Sequence, residues 1–250
     1  METRRLKGFD GADIAVSELG EGRPVVLLHG LFSSGEMNWR RYGAAAEIAS
    51  TGHRVIMPDF RAHGHSAAPH DAAAYPPDVL AMDMEAVIGQ LGLTDFDIGG
   101  YSLGARTVVR LLARGLQPAR AIIAGMGLEG LIGTTERADF FKRVIAQPDG
   151  WPAGSPESHA AAFMKQNKVD GAAVAHVLDS FVSTPAAVLR GLDTRCLVLC
   201  GSNDQDNGSA PALALELPNA ALVEIAGNHM SAVTKPDFGS AIAAWLGHPL

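Results

Sequence analysis

A chain of 250 residues, 47% apolar and 19% charged, holds enough material for one large α/β domain with a substantial buried core and does not have the composition of a disordered chain. A formal charge of −7 with no basic cluster argues against a nucleic-acid surface, which needs concentrated Lys and Arg to neutralise phosphates. No uninterrupted apolar stretch of about 18 residues offers a membrane span, so the expected partner is a small molecule rather than nucleic acid or a membrane.

Residues 1–8 carry basic side chains with no apolar run behind them and no small-residue cleavage site, and the expected location is the cytoplasm. Residues 4–19 alternate on either side of Asp10-Gly11, the signature of an antiparallel edge pair. Val25-Val26-Leu27-Leu28 is an unbroken apolar run suited to a strand buried on both faces, and it ends at His29-Gly30. A helix is expected over residues 39–50 and a strand over 53–57. The polar loop that follows opens with Pro58-Asp59-Phe60-Arg61. Strand, helix, strand is the rhythm of a parallel sheet.

Residues 78–91 read as an amphipathic helix with Val79, Met82, Ala86 and Leu91 as its apolar positions and acids at 78, 83 and 85. A strand over 96–100 then delivers Gly100-Tyr101-Ser102-Leu103-Gly104, a match to G-x-S-x-G, in which a sharp strand-to-helix turn exposes a serine Oγ. Leu103 opens the next helix, whose first amides lack intrahelical partners at the positive end of its dipole. The helix puts Ala105, Val108, Val109 and Leu112 on one face, with Arg106, Arg110 and Arg114 on another, and a short strand, 121–124, ends at Gly125. Over residues 128–193 the alternation of strand and helix stops. This stretch is rich in Ala and aromatics, with a Pro/Gly cluster at 148–156 separating two helices, and reads as an inserted helical cap between core segments 1–127 and 194–250. A strand over 195–200, a helix over 209–216, a strand over 221–225 and a helix over 236–246 complete the chain. Cys196 and Cys200 share one strand, where about 3.3 Å of rise per residue keeps them from a disulfide, and they read as buried thiols of a reducing compartment.

A serine hydroxyl is a weak nucleophile and needs a base, itself oriented by an acid. Gly201-Ser202-Asn203-Asp204 follows one strand directly and Gly227-Asn228-His229 follows the last, so Ser102, Asp204 and His229 all fall at strand ends, where α/β sheets build their sites. Their order is the Ser, acid, His order of G-x-S-x-G enzymes. Asp206 is a rival acid two residues on. The backbone N–H groups of Leu31 and Leu103 are the expected oxyanion donors, each worth about 2.7–4 kcal/mol in a transition state, with the Phe32 N–H as the neighbouring alternative. His63, His65 and His70 lack a surrounding ligand set of metal-site spacing and read as loop or surface residues.

On His29-Gly30-Leu31-Phe32, the loop Asp59-Phe60-Arg61-Ala62-His63-Gly64-His65-Ser66, the serine turn, Gly201-Ser202-Asn203-Asp204 and Gly227-Asn228-His229, the chain resembles the α/β-hydrolase-fold serine hydrolases over nearly its whole length. The resemblance implies a mostly parallel eight-stranded sheet flanked by helices, a helical cap inserted after the sixth strand, and no metal or organic cofactor. It selects Asp204 over Asp206 by G-x-x-D spacing, and makes His29 structural. Asp59 and Arg61 are expected to order their loop. Ala62 departs from the pattern, standing where many relatives carry glycine. The expected activity is hydrolysis of a small, fairly apolar carboxylic ester or lactone through an acyl-enzyme. Hydrolysis of a carbon–carbon bond in a dienone or diketone by the same three residues stays open, as do, less favoured, cofactor-free perhydrolase chemistry and noncatalytic ligand binding. Epoxide hydrolase and haloalkane dehalogenase chemistry is disfavoured, because those relatives use aspartate where Ser102 stands.

Overall fold

The computed structural model describes residues 3–133 and 135–248. Eight strands, β1 (Thr3–Lys7), β2 (Asp13–Leu19), β3 (Arg23–Leu28), β4 (His53–Pro58), β5 (Asp97–Tyr101), β6 (Arg120–Ala124), β7 (Arg195–Gly201) and β8 (Ala220–Ile225), form one sheet in the order β1-β2-β4-β3-β5-β6-β7-β8. The edge pair β1–β2 is antiparallel, as its alternation predicts, and β2 also runs antiparallel to β4; every other pairing is parallel.

The inner strands β3 and β7 carry continuous apolar runs because both faces of the sheet are covered there. Along β3, Val25 and Leu27 enter one core with Trp39, Phe238 and Trp245, while Val26 and Leu28 enter the other with Met84, Val108 and Leu112. The first face is covered by α1 (Ala44–Ser50) and a carboxyl-terminal helix described below; α2 (Val79–Gln90) and α3 (Leu103–Ala113) cover the second.

Two local expectations need correction. The single helix expected over 39–50 is a π-helical turn, Glu36–Arg40, followed by the separate α1, with Gly43 between them at φ +88°. Such a φ suits glycine and breaks a right-handed helix. The core face of α2 is made by Val79, as expected, with Leu80, Met84, Val87 and Ile88, whereas the expected Met82 and Ala86 are only half-buried and Asp83 is fully buried within that face. The acid is tolerated there because Arg61, also fully buried, meets it through two hydrogen bonds of 2.7 and 2.9 Å. A periodicity count takes Asp83 as solvent-facing and so rotates the helix.

Between β6 and β7 the described residues form five helices, α4 (Leu128–Ile132), α5 (Thr135–Ala146), α6 (Pro156–Gln166), α7 (Gly171–Asp179) and α8 (Ala186–Leu189). The Pro/Gly cluster separates α5 from α6 as expected, and Ser155 caps α6 by accepting from the Ser158 amide. After β7 come α9 (Ala210–Glu216), then β8, the four-residue α10 (His229–Ala232) and α11 (Pro236–Gly247), which packs beside α1. Among the described residues no helix is long and apolar enough to cross a membrane.

Candidate active site

The parallel registers align the carboxyl ends of β3, β5, β6, β7 and β8, so His29, Ser102, Asp204 and His229 leave the sheet at one edge. Ser102 follows β5 directly. Its backbone is bent to φ +54°, ψ −108°, a conformation that costs a side-chain-bearing residue about 1–3 kcal/mol. Two close approaches hold that bend. A Cβ on Gly100 would sit 2.1 Å from the Gly104 carbonyl carbon, and one on Gly104 would sit 2.1 Å from the Leu28 oxygen. The first turn of α3 thus lies directly on β3 and β5, and the Ser102 amide donates to the Ala124 oxygen at 2.8 Å.

Ser102 Oγ lies 3.0 Å from Nε2 of His229, and Nδ1 of His229 lies 2.8 Å from Oδ2 of Asp204. All three side chains are buried. With the Asp204 carboxylate at Nδ1, that nitrogen carries the imidazole proton, which leaves Nε2 to accept from the serine hydroxyl. Burial works against the charge of Asp204. The hydrogen bond and charge attraction of His229, together with the Asp206 amide, outweigh it and lower its pKa below the usual carboxylate value. The structure therefore brings together the three residues selected from the sequence. Asp206 turns its carboxylate to Arg137, with Oδ2 3.2 Å from Nη2.

The amides of Leu31, Phe32 and Leu103 donate to no acceptor among the described residues. Leu31 and Phe32 line a cavity of about 450 Å³ together with Ser102 and His229. Phe32 takes φ +59°, which turns the chain sharply after β3. The loop is held by Asn38, whose Oδ1 accepts from the Gly30 amide at 2.9 Å. His29 is a structural histidine: Nδ1–H donates to the Gly30 oxygen at 2.8 Å and Nε2 accepts from the Phe60 amide at 2.9 Å. Burial pulls its pKa down to about 4. His63 stacks obliquely on it with ring centroids 5.2 Å apart, and burial and the neighbouring imidazole take its pKa to about 3.

Asp59 orders its loop by accepting from the Gly35 and His65 amides, at 2.8 and 2.9 Å, and Arg61 does so through Asp10 and Asp83. Ala62 sits at φ +65°, which explains why glycine suits that position. His70 pairs instead with Asp170, 2.7 Å away.

Phe140 and Phe141 from α5 and Phe163 from α6 join Phe32, Tyr42 and Met230 on the cavity wall. Arg137 and Asp206 also line it, the Arg137 guanidinium resting over the Phe141 ring at 5.1 Å. Asn38, Tyr101 and Arg137 are site residues that the sequence reading does not pick out. Asn38 and Arg137 sit in helical turns with no motif around them. Tyr101 had a signal, its place inside G-x-S-x-G, but the pattern leaves that position free.

A family model described as the alpha/beta hydrolase fold matches residues 23–130, which run from β3 through the serine turn into α4. The chain has the α/β-hydrolase fold. It is similar to an epoxide hydrolase of Caballeronia sordidicola, at 36% identity over 107 residues, 41% of this chain and 32% of that one. It is also similar to the non-heme chloroperoxidase CPO-A1 of Kitasatospora aureofaciens, at 33% over 105 residues, 42% of this chain and 36% of that one. The α/β-hydrolase chain thus spans about a third of the length of these curated relatives. Among solved structures, an esterase from Exiguobacterium antarcticum superposes with a TM-score of 0.79 at 19% identity, covering 99% of this chain and 100% of that one. An enol-lactonase from Burkholderia xenovorans LB400 does so with a TM-score of 0.76 at 21% identity, again over 99% and 100%. At these identities the likeness is one of fold, and the α/β-hydrolase fold hosts many reactions.

Proposed function

We propose that the protein is a serine hydrolase that cleaves a small, fairly apolar carboxylic ester or lactone. The observation that carries this reading is the connected chain of hydrogen bonds from Ser102 through His229 to Asp204, set beside an aromatic-lined cavity. Ser102 Oγ attacks the ester carbonyl while His229 Nε2 takes its proton, and Asp204 stabilises the imidazolium that forms. The Leu31 and Leu103 amides receive the oxyanion; their hydrogen-bonding capacity is unspent among the described residues. The tetrahedral intermediate collapses, the carbon–oxygen bond to the alcohol breaks, and His229 returns its proton to the leaving oxygen. Water, deprotonated by His229, then attacks the acyl-enzyme, and the carboxylic acid leaves as Ser102 recovers its proton. Nucleophile, base, acid and electrostatic donors are all groups of this chain, so the reaction as written calls on no cofactor.

Residues 128–193 serve in this reading as a cap over the core formed by 1–127 and 194–250, since α5 and α6 contribute Phe140, Phe141 and Phe163 to the cavity. The charge of Arg137 on the cavity wall is balanced by Asp206, which favours an uncharged substrate. The cytoplasm is the inferred setting: Cys196 and Cys200 are free and buried, and burial pushes both thiols up to about 12.

The test is turnover of a panel of p-nitrophenyl esters, lactones and carbon–carbon ring-fission products, with active sites counted by a fluorophosphonate. Esters or lactones should be the preferred substrates, and Ser102→Ala should lose both turnover and labelling. Labelling retained at another residue overturns the scheme, and a strong preference for ring-fission products reassigns the bond cleaved.

A further inference from the structure

The base and the nucleophile are separated by 127 residues and belong to different loops. His229 is the first residue of α10, a helix of four residues. One turn fixes several backbone dihedrals for very few hydrogen bonds and does not hold itself in place. Its anchors therefore decide where the imidazole sits.

One anchor is local: Asn228 accepts from the Met230 and Ser231 amides, and Ser231 Oγ accepts from the Asn228 amide. Two more come from the loop after β7, where Asp204 meets the imidazole at 2.8 Å and the Asn203 amide donates to the Gly227 oxygen at 2.9 Å, and a further one comes from the residue beside the nucleophile. The Tyr101 hydroxyl donates to the backbone carbonyl of His229 itself. Its ring also packs against the imidazole, with centroids 5.2 Å apart and planes at 33°.

Tyr101 is in turn tightly held. It is 5% exposed, its ring meets Phe238 edge-on at 5.6 Å, and Gly125 lies so close beneath that a Cβ there would come within 2.7 Å of two ring carbons. The peptide unit joining residues 101 and 102 thus connects two contacts to His229: the Tyr101 hydroxyl to its backbone and Ser102 Oγ to its ring. His229 cannot drift from Ser102 without breaking the first. Burial raises the phenol pKa well above the ordinary value, so Tyr101 stays a donor at any working pH.

We infer that Tyr101 is a positioning residue that fastens the backbone of His229 to the nucleophile strand and so sets the Ser102–His229 distance during turnover. The inference rests on the serine-hydrolase reading above. Its effect falls on the proton-transfer step, because Tyr101 holds the base rather than the reacting carbonyl.

The test is Tyr101→Phe, which keeps the ring and removes one oxygen. The variant and the wild type are compared on the best ester of the panel, with kcat expressed per site titrated by fluorophosphonate, so that an unfolded fraction does not count. Loss of one buried hydrogen bond and of alignment at the base predicts about a tenfold fall in kcat, with KM changed less than about twofold. The downfield NMR signal of the proton between His229 Nδ1 and Asp204 should broaden in the variant. An unchanged kcat per titrated site overturns the inference, whatever happens to the melting temperature, and so does a change confined to KM. Failure of the wild type to label at Ser102 refutes the parent reading instead, so the two failures are distinguishable.

Discussion

Asp206 donates its backbone amide to Oδ1 of Asp204, 3.1 Å away, while its own carboxylate points to Arg137. Two acids two residues apart thus have opposite duties: Asp204 faces His229, and Asp206 orders Asp204 through its main chain. Replacing Asp204 by Asn leaves the shape but permits the wrong imidazole tautomer, and kcat should fall by about 10⁴-fold. Asp206→Asn keeps the amide and removes only a half-exposed ion pair, and its kcat should stay within about threefold of wild type. Steady-state kinetics of the two variants decides, and near-normal turnover by Asp204→Asn removes that residue from the mechanism.

Acid should weaken the fold before it reaches the carboxylates. His29 and His63 are buried side by side with pKa values near 4 and 3, against 6.5 for a free imidazole. Between those values the unfolded chain binds protons that the folded chain refuses. Their contribution is therefore complete above about pH 6.5 and is lost as the pH falls, by up to about 1.4 kcal/mol per pH unit for each group. Asp10, held at about 2 by the Arg61 guanidinium, adds its own loss only at lower pH. Calorimetry should show a melting temperature several degrees lower at pH 5 than at pH 7, with a shallower slope in His63→Gln. A flat profile over that range contradicts the burial argument.

The contact of Gly104 with β3 has no slack. A methyl group there would overlap the Leu28 carbonyl at 2.1 Å from its oxygen and 2.5 Å from its carbon. Backbone atoms cannot rotate aside, so α3 must lift from the sheet. Gly104→Ala should cost about 3 kcal/mol or more. A soluble variant that melts within about 2 °C of wild type refutes this packing.

Ala62 carries the opposite expectation. At φ +65° its methyl group is strained by about 1–2 kcal/mol. Glycine relieves that strain and gives back about 0.5–1 kcal/mol in chain entropy, plus the burial of one methyl. Ala62→Gly should therefore melt at or slightly above the wild-type temperature, where an ordinary buried Ala→Gly change is destabilising. A clear drop in the melting temperature shows that burial, not backbone strain, governs the position.

Several features of the protein are written in its local sequence. The unbroken run at Val25–Leu28 specifies a strand covered on both faces, because such a strand has no solvent side to mark. Gly100, Ser102 and Gly104 specify a tight turn, because only small residues fit where a helix starts against a sheet. The positions of Ser102, Asp204 and His229 at strand ends follow from the order of the elements, since parallel strands direct all their carboxyl ends to one edge. These are consequences of periodicity, turn sterics and connectivity, each legible along one dimension. The tertiary structure alone decided that Tyr101 reaches the His229 carbonyl, that Asn38 holds the Gly30 amide, that Asp206 turns its carboxylate to Arg137 and that Asp83 lies buried against Arg61. Each of these depends on the register between strands and on the direction in which a side chain leaves its loop, and ångström-scale distances across up to 128 residues of chain exist only once the sheet has closed on its two layers of helices.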